Sequence, residues 1–349
     1  MRFDAPKTDG DLDRAADVLR YAHEKGVNYF DTAPLYCEDR SEEIVGRAIR
    51  GMEPGSYYVS TKSGEADGDA LRRNLERSLQ RLGLDRVHFF HVWCLLRPEK
   101  WEERVNGGAI DAVMKARDEG LIEHVVFSTH MTGDETAEII KKGLFEGVTL
   151  GFNAVNFPFR RRGVEAARQA GIGVVTMNPL SGGLIPQYAD RFSFIRDEGD
   201  PDTVSAALRF NVSYPGVTCA LVGFNNKQEV DAAVAAVTDF EPRSETHIRR
   251  MEEHIQEAFE GLCTGCGYCL PCPAGVPIPK YMDAYNLHVL GKGGHDIQMR
   301  LKWHWDIKAE GAAACTACGQ CEQRCTQHLP IIERLSEVVR MGKEESAQG

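Results

Sequence analysis

The sequence predicts an α/β fold: a (β/α)₈ barrel short of its first strand, followed by a smaller, mostly α-helical domain. Three observations lead there. The first two-thirds of the 349-residue chain alternates short β-branched or aromatic runs with amphipathic stretches, the repeat that builds parallel sheets. Near residue 240 the alternation gives way to a charged stretch. Beyond residue 260, eight of the eleven cysteines gather in two tight runs.

Residues 11–25 read as an amphipathic helix opened by Thr8-Asp9-Gly10, with Ala15, Val18, Leu19 and Ala22 on one face. A strand over 27–31 follows, then a helix over 41–50 with Ser41 as N-cap and Glu43 in its first turn. Further strands are expected over 58–61, 87–91, 125–129, 149–155, 174–177 and 219–222. Helices over 69–82, 110–119, 134–142, 164–170, 202–210 and 227–237 alternate with them. That gives seven strands and eight helices, with the chain opening on a helix. A barrel left open at seven strands would expose unpaired edges, which proteins avoid. Residues 239–261 read as a charged connecting helix with Ile248, Met251, Ile255 and Phe259 on one face, leading into Cys263.

Composition narrows the class. A hydrophobic share of 42% with 27% charged residues is ordinary for a soluble globular protein. No apolar run approaches the ~20 residues of a membrane span, and the amino terminus has no signal-peptide core; a cytoplasmic protein is expected. The net charge of −11 argues against non-specific nucleic-acid binding, which relies on basic patches. In a reducing compartment, clustered cysteines read as metal or cofactor ligands rather than disulfides.

Candidate chemistry begins at Tyr29-Phe30-Asp31-Thr32-Ala33-Pro34-Leu35-Tyr36, a strand broken at Pro34 that leaves a carboxylate and a phenol five positions apart. Tyr57-Tyr58-Val59-Ser60-Thr61 ends on Lys62, and Val87-His88-Phe89-Phe90 ends on His91. Barrel enzymes draw catalytic residues from the C-terminal ends of different strands. Each of these residues alone could be an idle strand-end polar group; together they form a proton-transfer site. A free tyrosine, with a pKa near ~10, donates poorly at neutral pH. A nearby ammonium favours the phenolate, the part Lys62 would play for Tyr36. Asp31 would hold Lys62, and His91 would orient or polarise a substrate oxygen. Strand alternation turns His88 to the other face, a structural place.

Segments 30–36, 59–64 and 89–92 resemble the motifs that carry the Asp, Tyr, Lys and His tetrad of the aldo/keto reductase superfamily. The resemblance covers residues 1–237, and with the tail at 262–332 it extends to a branch bearing iron–sulfur clusters. It implies that Asp31, Tyr36, Lys62 and His91 are catalytic. It also implies NADPH or NADH at the barrel mouth, since no Gly-x-Gly-x-x-Gly follows any strand. Ser128 resembles the polar contact to the nicotinamide amide. Asn153 and Asn156 resemble the amide positions on the sixth strand, and the register between them stays open. Pro179-Leu180-Ser181-Gly182-Gly183 matches a loop along the pyrophosphate. Gly223-Phe224-Asn225-Asn226 before a helix offers backbone N–H groups to phosphate. Lys227 would meet a ribose phosphate, a lean towards NADPH. Each of these segments also reads as an ordinary turn. In the family the first strand carries a Gly-rich segment, and Met1-Arg2-Phe3 resembles the residues just past that strand. A start codon placed too late is the favoured reading, ahead of a truncated chain or a variant with the gap filled.

The cysteine runs are Cys263, Cys266, Cys269 and Cys272, then Cys315, Cys318, Cys321 and Cys325. Three cysteines at two-residue spacing let one loop wrap three corners of a cubane, with a fourth supplied from afar. In two-cluster ferredoxins the last cysteine of each run ligates the other cluster. That resemblance implies one [4Fe-4S] cluster on Cys263, Cys266, Cys269 and Cys325, and a second on Cys315, Cys318, Cys321 and Cys272. The first run spaces its last cysteine by two residues rather than three, and Thr326 stands where proline is usual. The insert at 280–292 favours an α-helical, ferredoxin-like domain. Paired Cys₄ zinc sites are the alternative, although zinc normally uses separated pairs. Cys37, Cys94 and Cys219 read as packing residues.

The domains implied are a barrel over 1–240, a linker helix over 241–261 and a dicluster domain over 262–349. Nicotinamide delivers two electrons and each cluster carries one, with no flavin motif to split the pair. Three functions remain open. The barrel reduces a small carbonyl or enone substrate while the clusters dock a partner; an external ferredoxin feeds electrons through the clusters to the barrel; or the chain is a non-catalytic electron-transfer module. Trp93, Trp101, Phe157 and Phe159 suggest an apolar, partly aromatic pocket.

Overall fold

The computed structural model describes residues 11–258, 261–263, 265, 267, 269–325 and 328–348. Met1-Arg2-Phe3, Thr8-Asp9-Gly10, Phe259 and Cys266 lie outside the described residues.

Seven strands form one sheet: β1 (Tyr29–Asp31), β2 (Tyr58–Ser63), β3 (Val87–Leu95), β4 (Ile122–Thr129), β5 (Gly147–Gly151), β6 (Gly173–Met177) and β7 (Cys219–Ala220). They are hydrogen-bonded in sequence order, every pair parallel. Among the described residues no pairing joins β7 back to β1, so the sheet is a curled half-barrel rather than the closed eight-stranded cylinder. Phe30, Val59, Phe90, Phe127, Val148 and Val174 are fully or almost fully buried in it. Removing each such side chain from water contributes about 1.5–3 kcal/mol before entropy is counted.

Ten helices flank the strands: α1 (Leu12–Glu24), α2 (Ser41–Ile49), α3 (Gly68–Leu82), α4 (Pro98–Asn106), α5 (Ala109–Asp118), α6 (Gly133–Ile140), α7 (Phe157–Ala170), α8 (Leu184–Gln187), α9 (Thr203–Ser213) and α10 (Lys227–Val237). Local chemistry sets their ends. Asp11 caps α1, Asp67 caps α3, and Thr132 and Glu135 form a reciprocal capping box on α6. Three expectations shift. Ser41 is not a cap: Arg40 holds that position without a side-chain bond, while Ser41 Oγ lies 2.7 Å from Thr32 Oγ1 inside the protein. The strand expected at 149–155 runs 147–151 instead, because Asn153 and Asn156 fold the following residues into a turn. Helix α7 then begins seven residues early, with Pro158 in its first turn.

Helix α11 (Glu245–Ala258) does more than connect. Met251 and Ile255 join the barrel's hydrophobic cluster, Arg243 pairs with the buried Asp200, and His247 Nε2 lies 3.1 Å from the Ile195 carbonyl oxygen. Beyond it, α12 (Ile278–Val289), α13 (Gly294–Arg300), α14 (Gln320–Gln323) and α15 (Ile331–Gln348) enclose a second cluster around Tyr281, Met282, Leu301, Leu335 and Val338. The turn at 301–306 lies against the barrel. The Arg160 guanidinium stacks 4.9 Å from the Trp305 ring centroid, His304 meets His130 at 4.6 Å, and Asp306 pairs with Arg97 at 3.3 Å. Lys280 adds an ion pair to Glu135 at 3.3 Å. No helix of the described residues is long and apolar enough to cross a membrane.

Candidate active site and cysteine loops

Strand register brings the first site together. Asp31, the last residue of β1, pairs with Ser60, and Lys62 pairs with His91 two residues further along, so the three side chains meet where β1 stops and β2 and β3 run on to Ser63 and Leu95. Lys62 and Asp31 form a buried ion pair. Ser60 Oγ donates to Asp31 at 2.6 Å, and Lys62 Nζ also donates to the Thr32 carbonyl at 2.9 Å. Burial is the largest single influence on Asp31 and opposes its charge, but the positive groups around it, Lys62 foremost, together hold the carboxyl below the ordinary aspartate range. His91 is 1% exposed, and its Nε2 lies 3.9 Å from Asp31 Oδ1. Among the described residues, neither ring nitrogen has a hydrogen-bond partner of normal geometry. Burial, joined by the Lys62 charge, pushes the imidazole down to about 3. It is therefore neutral at physiological pH, with one donor nitrogen and one acceptor.

Tyr36 reaches this corner from an unusual loop. Its ring centroid lies 5.8 Å from Lys62 Nζ, and its edge meets the Trp93 ring at a centroid distance of 5.8 Å. Leu35, Cys37, Glu38 and Asp39 around it all have φ between 53° and 68°, the left-handed region that costs non-glycine residues energy. The surroundings hold the loop there. Asp39 takes a forked pair of bonds from Arg81 at 2.7 and 2.6 Å and accepts from the Leu35 N–H at 3.1 Å. Those bonds outweigh desolvation and bring the Asp39 carboxyl down to about 2.

The expected nicotinamide contacts have partners within the chain. Ser128 is buried at the end of β4, where a β3–β4 register shift and the left-handed Cys94 mark a bulge. Ser128 Oγ accepts the Cys94 N–H at 3.1 Å, leaving its own proton uncommitted. Asn153 donates to the Asn178 carbonyl at 2.9 Å and accepts from the Val155 and Asn156 N–H groups; Asn156 accepts from the Asn153 N–H at 2.8 Å. Both amides thus brace one turn. Pro179, Leu180 and Gly182 lie in the tight loop after β6, where Asn178, Ser181 and Gly182 are left-handed. Gly223 and Asn225 precede α10, whose Asn226 is the N-cap. Glu229 already takes the Asn225 N–H at 2.8 Å, and Lys227 Nζ sits 4.9 Å from the centroid of the Tyr21 ring.

Two of the four aromatic residues offered for a pocket belong to the core. Trp101 packs edge-on against Phe145, and Phe157 against Phe152 and Phe210. Trp93 does line the site, and nothing is described of the Phe159 side chain. Sequence reasoning missed Arg104, which is 7% exposed in the last turn of α4 and forms no hydrogen bond or ion pair among the described residues. Pro98 followed by Glu99, with Trp101 and Arg104 three apart, was the signal for that helix and its inner face.

The cysteine loops converge on a hollow lined by Cys269, Cys272, Cys315, Cys318 and Cys321 together with Ile278, Ile332 and Leu335. Among the described residues no three Cys, His, Asp or Glu side chains are placed to hold a single metal ion. Asn286 clamps the first loop, accepting the Cys263 N–H at 2.7 Å and donating to the Cys263 carbonyl at 2.9 Å. The N–H groups of Ala317 and Leu329 point at Cys315 Sγ and Cys325 Sγ, at 3.4 and 3.5 Å. Bonds of this kind stabilise thiolate ligands and tune cluster potentials.

A parallel half-barrel with Asp, Tyr, Lys and His at one end and a cysteine-rich helical tail defines a class, the barrel oxidoreductases with an iron–sulfur extension. More particularly, residues 1–256 match the model of the aldo/keto reductase family, and the chain belongs to that family. Residues 262–329 match the 4Fe-4S dicluster domain. The chain is 24% identical to L-galactose dehydrogenase from Arabidopsis thaliana, over 66% of this chain and 79% of the relative. It is 26% identical to NADH-specific methylglyoxal reductase from Escherichia coli, over 52% and 61%. It is 29% identical to aflatoxin B1 aldehyde reductase member 2 from Rattus norvegicus, over 52% of each chain. Among solved structures, an aldo-keto reductase from Bacillus halodurans in its holo form superposes with a TM-score of 0.62 at 19% identity, covering 72% of this chain and 91% of that one. An aldo-keto reductase from Klebsiella pneumoniae in complex with NADPH gives 0.58 at 21%, covering 72% and 86%. These likenesses carry the fold.

Proposed function

We propose that the chain reduces a small aldehyde, ketone or activated double bond at the barrel mouth with NADPH or NADH. In this reading residues 1–240 are the reductase, 241–261 link, and 262–349 carry two [4Fe-4S] clusters for electron transfer or for docking a redox partner such as a ferredoxin. The observation that carries it is the Asp31–Lys62 ion pair with Tyr36 and a neutral, unsatisfied His91 beside it. A substrate oxygen in that corner would take a hydrogen bond from His91 and a proton from the Tyr36 hydroxyl. Lys62, fixed by Asp31 and the Thr32 carbonyl, would stabilise the phenolate left behind.

The free proton of Ser128, the loop at 178–183 and the start of α10 would hold the nicotinamide cofactor, with Glu229 turning aside for its phosphate. When bound, that cofactor supplies a hydride. Lys227 and the NADPH-bound Klebsiella relative favour NADPH, while the NADH-specific relative favours the other, so both belong in the assay. In the cysteine domain, Cys269 and Cys272 of the first run line one hollow with Cys315, Cys318 and Cys321 of the second, and the nearness of Cys272 to the second run supports it as that cluster's fourth ligand. Such clusters supply single-electron transfer.

The test is anaerobic turnover of an aldehyde panel with each nicotinamide, for the wild type and Tyr36→Phe. Reduction that Tyr36→Phe abolishes is the expected result; equal rates in the two proteins would sink the reading. A second reading rests on the contact of the 301–306 turn with the barrel, which suits electron input from a ferredoxin. Turnover only in the presence of reduced ferredoxin would select it.

A further inference from the structure

Resting on the reductase reading above, we propose that the substrate carries a carboxylate and that Arg104 binds it, making the protein a reductase of acidic aldehydes or ketones. An arginine held away from water without a partner is costly. Of the buried arginines, Arg243 pairs with Asp200, Arg334 Nη1 donates to the Gly261 carbonyl at 2.7 Å, and Arg160 donates to the His130 carbonyl and stacks on Trp305. Arg104 alone among them has no such contact among the described residues. Burial lowers its pKa, against the pull of the Glu103 side chain and its neighbours. Glu103 is itself paired with Lys100 at 2.8 Å, and Glu65 accepts from Asn74 at 3.3 Å.

Position turns this orphan into a recognition group. Gly64 lies two residues past Lys62 and is exposed. A methyl placed there would sit 3.7 Å from Trp93 Cε3 and 4.0 Å from Arg104 Nη2. Trp93 is the ring that meets Tyr36. Tyr36, Trp93 and Arg104 therefore follow one another along one wall: proton donor, apolar spacer, cation. A substrate with its carbonyl at Tyr36 would lay its chain along the indole and its anionic end over Gly64. A guanidinium matches a carboxylate with two parallel N–H donors. The nearby Glu65 and Glu103 favour a monoanion over a phosphate dianion.

The experiment compares ω-carboxy aldehydes of two to five carbons with the matching uncharged alkanals, for the wild type, R104Q and R104K. We expect the wild type to favour the acid at one or more lengths by tenfold or more in kcat/KM. R104Q should erase that preference by raising KM for the acid alone, and R104K should lower it severalfold. Circular dichroism reports folding, and R104K decides the matter if R104Q does not fold. A wild-type preference near one, or the same preference in the folded variants, would overturn the proposal. Calorimetric titration with succinate and with succinamide keeps the anion site testable without turnover. Succinate binding weakened tenfold in R104Q supports it even if no aldehyde is reduced, an outcome that would refute only the reductase reading. Equal or absent succinate binding in all three proteins counts against Arg104 whatever the turnover.

Discussion

The barrel corner and the cysteine loops are both built from polar groups brought together by long-range folding, yet they are held in opposite ways. At the corner the chain supplies its own counter-charges: Lys62 answers Asp31, Ser60 and Thr32 take up the remaining bonds, and β-sheet register fixes all of them. The cysteine loops are steadied in another way. Among the described residues, Asn286 and two N–H···S contacts hold them, and cysteines of both runs line one hollow. One site takes its charges and its geometry from the fold. The other is completed by what binds it, so part of its folding free energy resides in the metal.

Stripping the iron is the harshest way to break that contrast. Amides of α12 and α15 should lose hydrogen-exchange protection by more than tenfold on chelation, while β2, β3 and β4 keep theirs. Equal loss in both regions would mean that the barrel leans on the clusters too. Next in size, Tyr36→Phe should cut carbonyl reduction about 10²–10⁴-fold and leave iron content and the visible spectrum unchanged. Lys62→Met sharpens the contrast from inside the barrel. Removing the Lys62 charge from the buried Asp31 should cost about 3–5 kcal/mol of stability, seen as a lowered denaturant midpoint for the barrel.

The smallest effect is acid sensitivity. The folded His91 binds a proton only near about 3, whereas an unfolded histidine does so near ~6.5. Between those values the unfolded chain carries more protons, so this contribution to stability is complete above ~6.5 and is lost as pH falls. Denaturant midpoints for the wild type should drop from pH 7 to pH 4 more steeply than those of His91→Gln; parallel slopes would remove His91 from the account.

Much of the barrel was legible because each strand repeats one local pattern: an apolar run, then a polar residue at its end. Asp31, Lys62 and His91 were found that way; the register puts Lys62 beside His91, and the ion pair to Lys62 draws in Asp31 from two residues back. The misses share a cause, side chains that bond to something distant in sequence. Ser41 looks like a cap, but Thr32 claims its hydroxyl. The stretch after Gly151 stays apolar, yet two asparagine side chains curl it into a turn. Trp101 and Phe157 carry the composition of a pocket, and only tertiary packing sends them to the core. Spacing from Trp101 could put Arg104 on its helix's inner face but not single it out, because what distinguishes it is the lack of a partner among the described residues.

The unbroken strand order, each strand beside its successor, has a consequence for synthesis. A sheet built this way can grow from one edge as the chain leaves the ribosome, each new strand docking on a neighbour already made. All eight clustered cysteines emerge after the last strand, so their thiols meet the cell when the barrel that the 301–306 turn leans on already exists. Iron insertion would then be the closing act of assembly, carried out on a scaffold already in place.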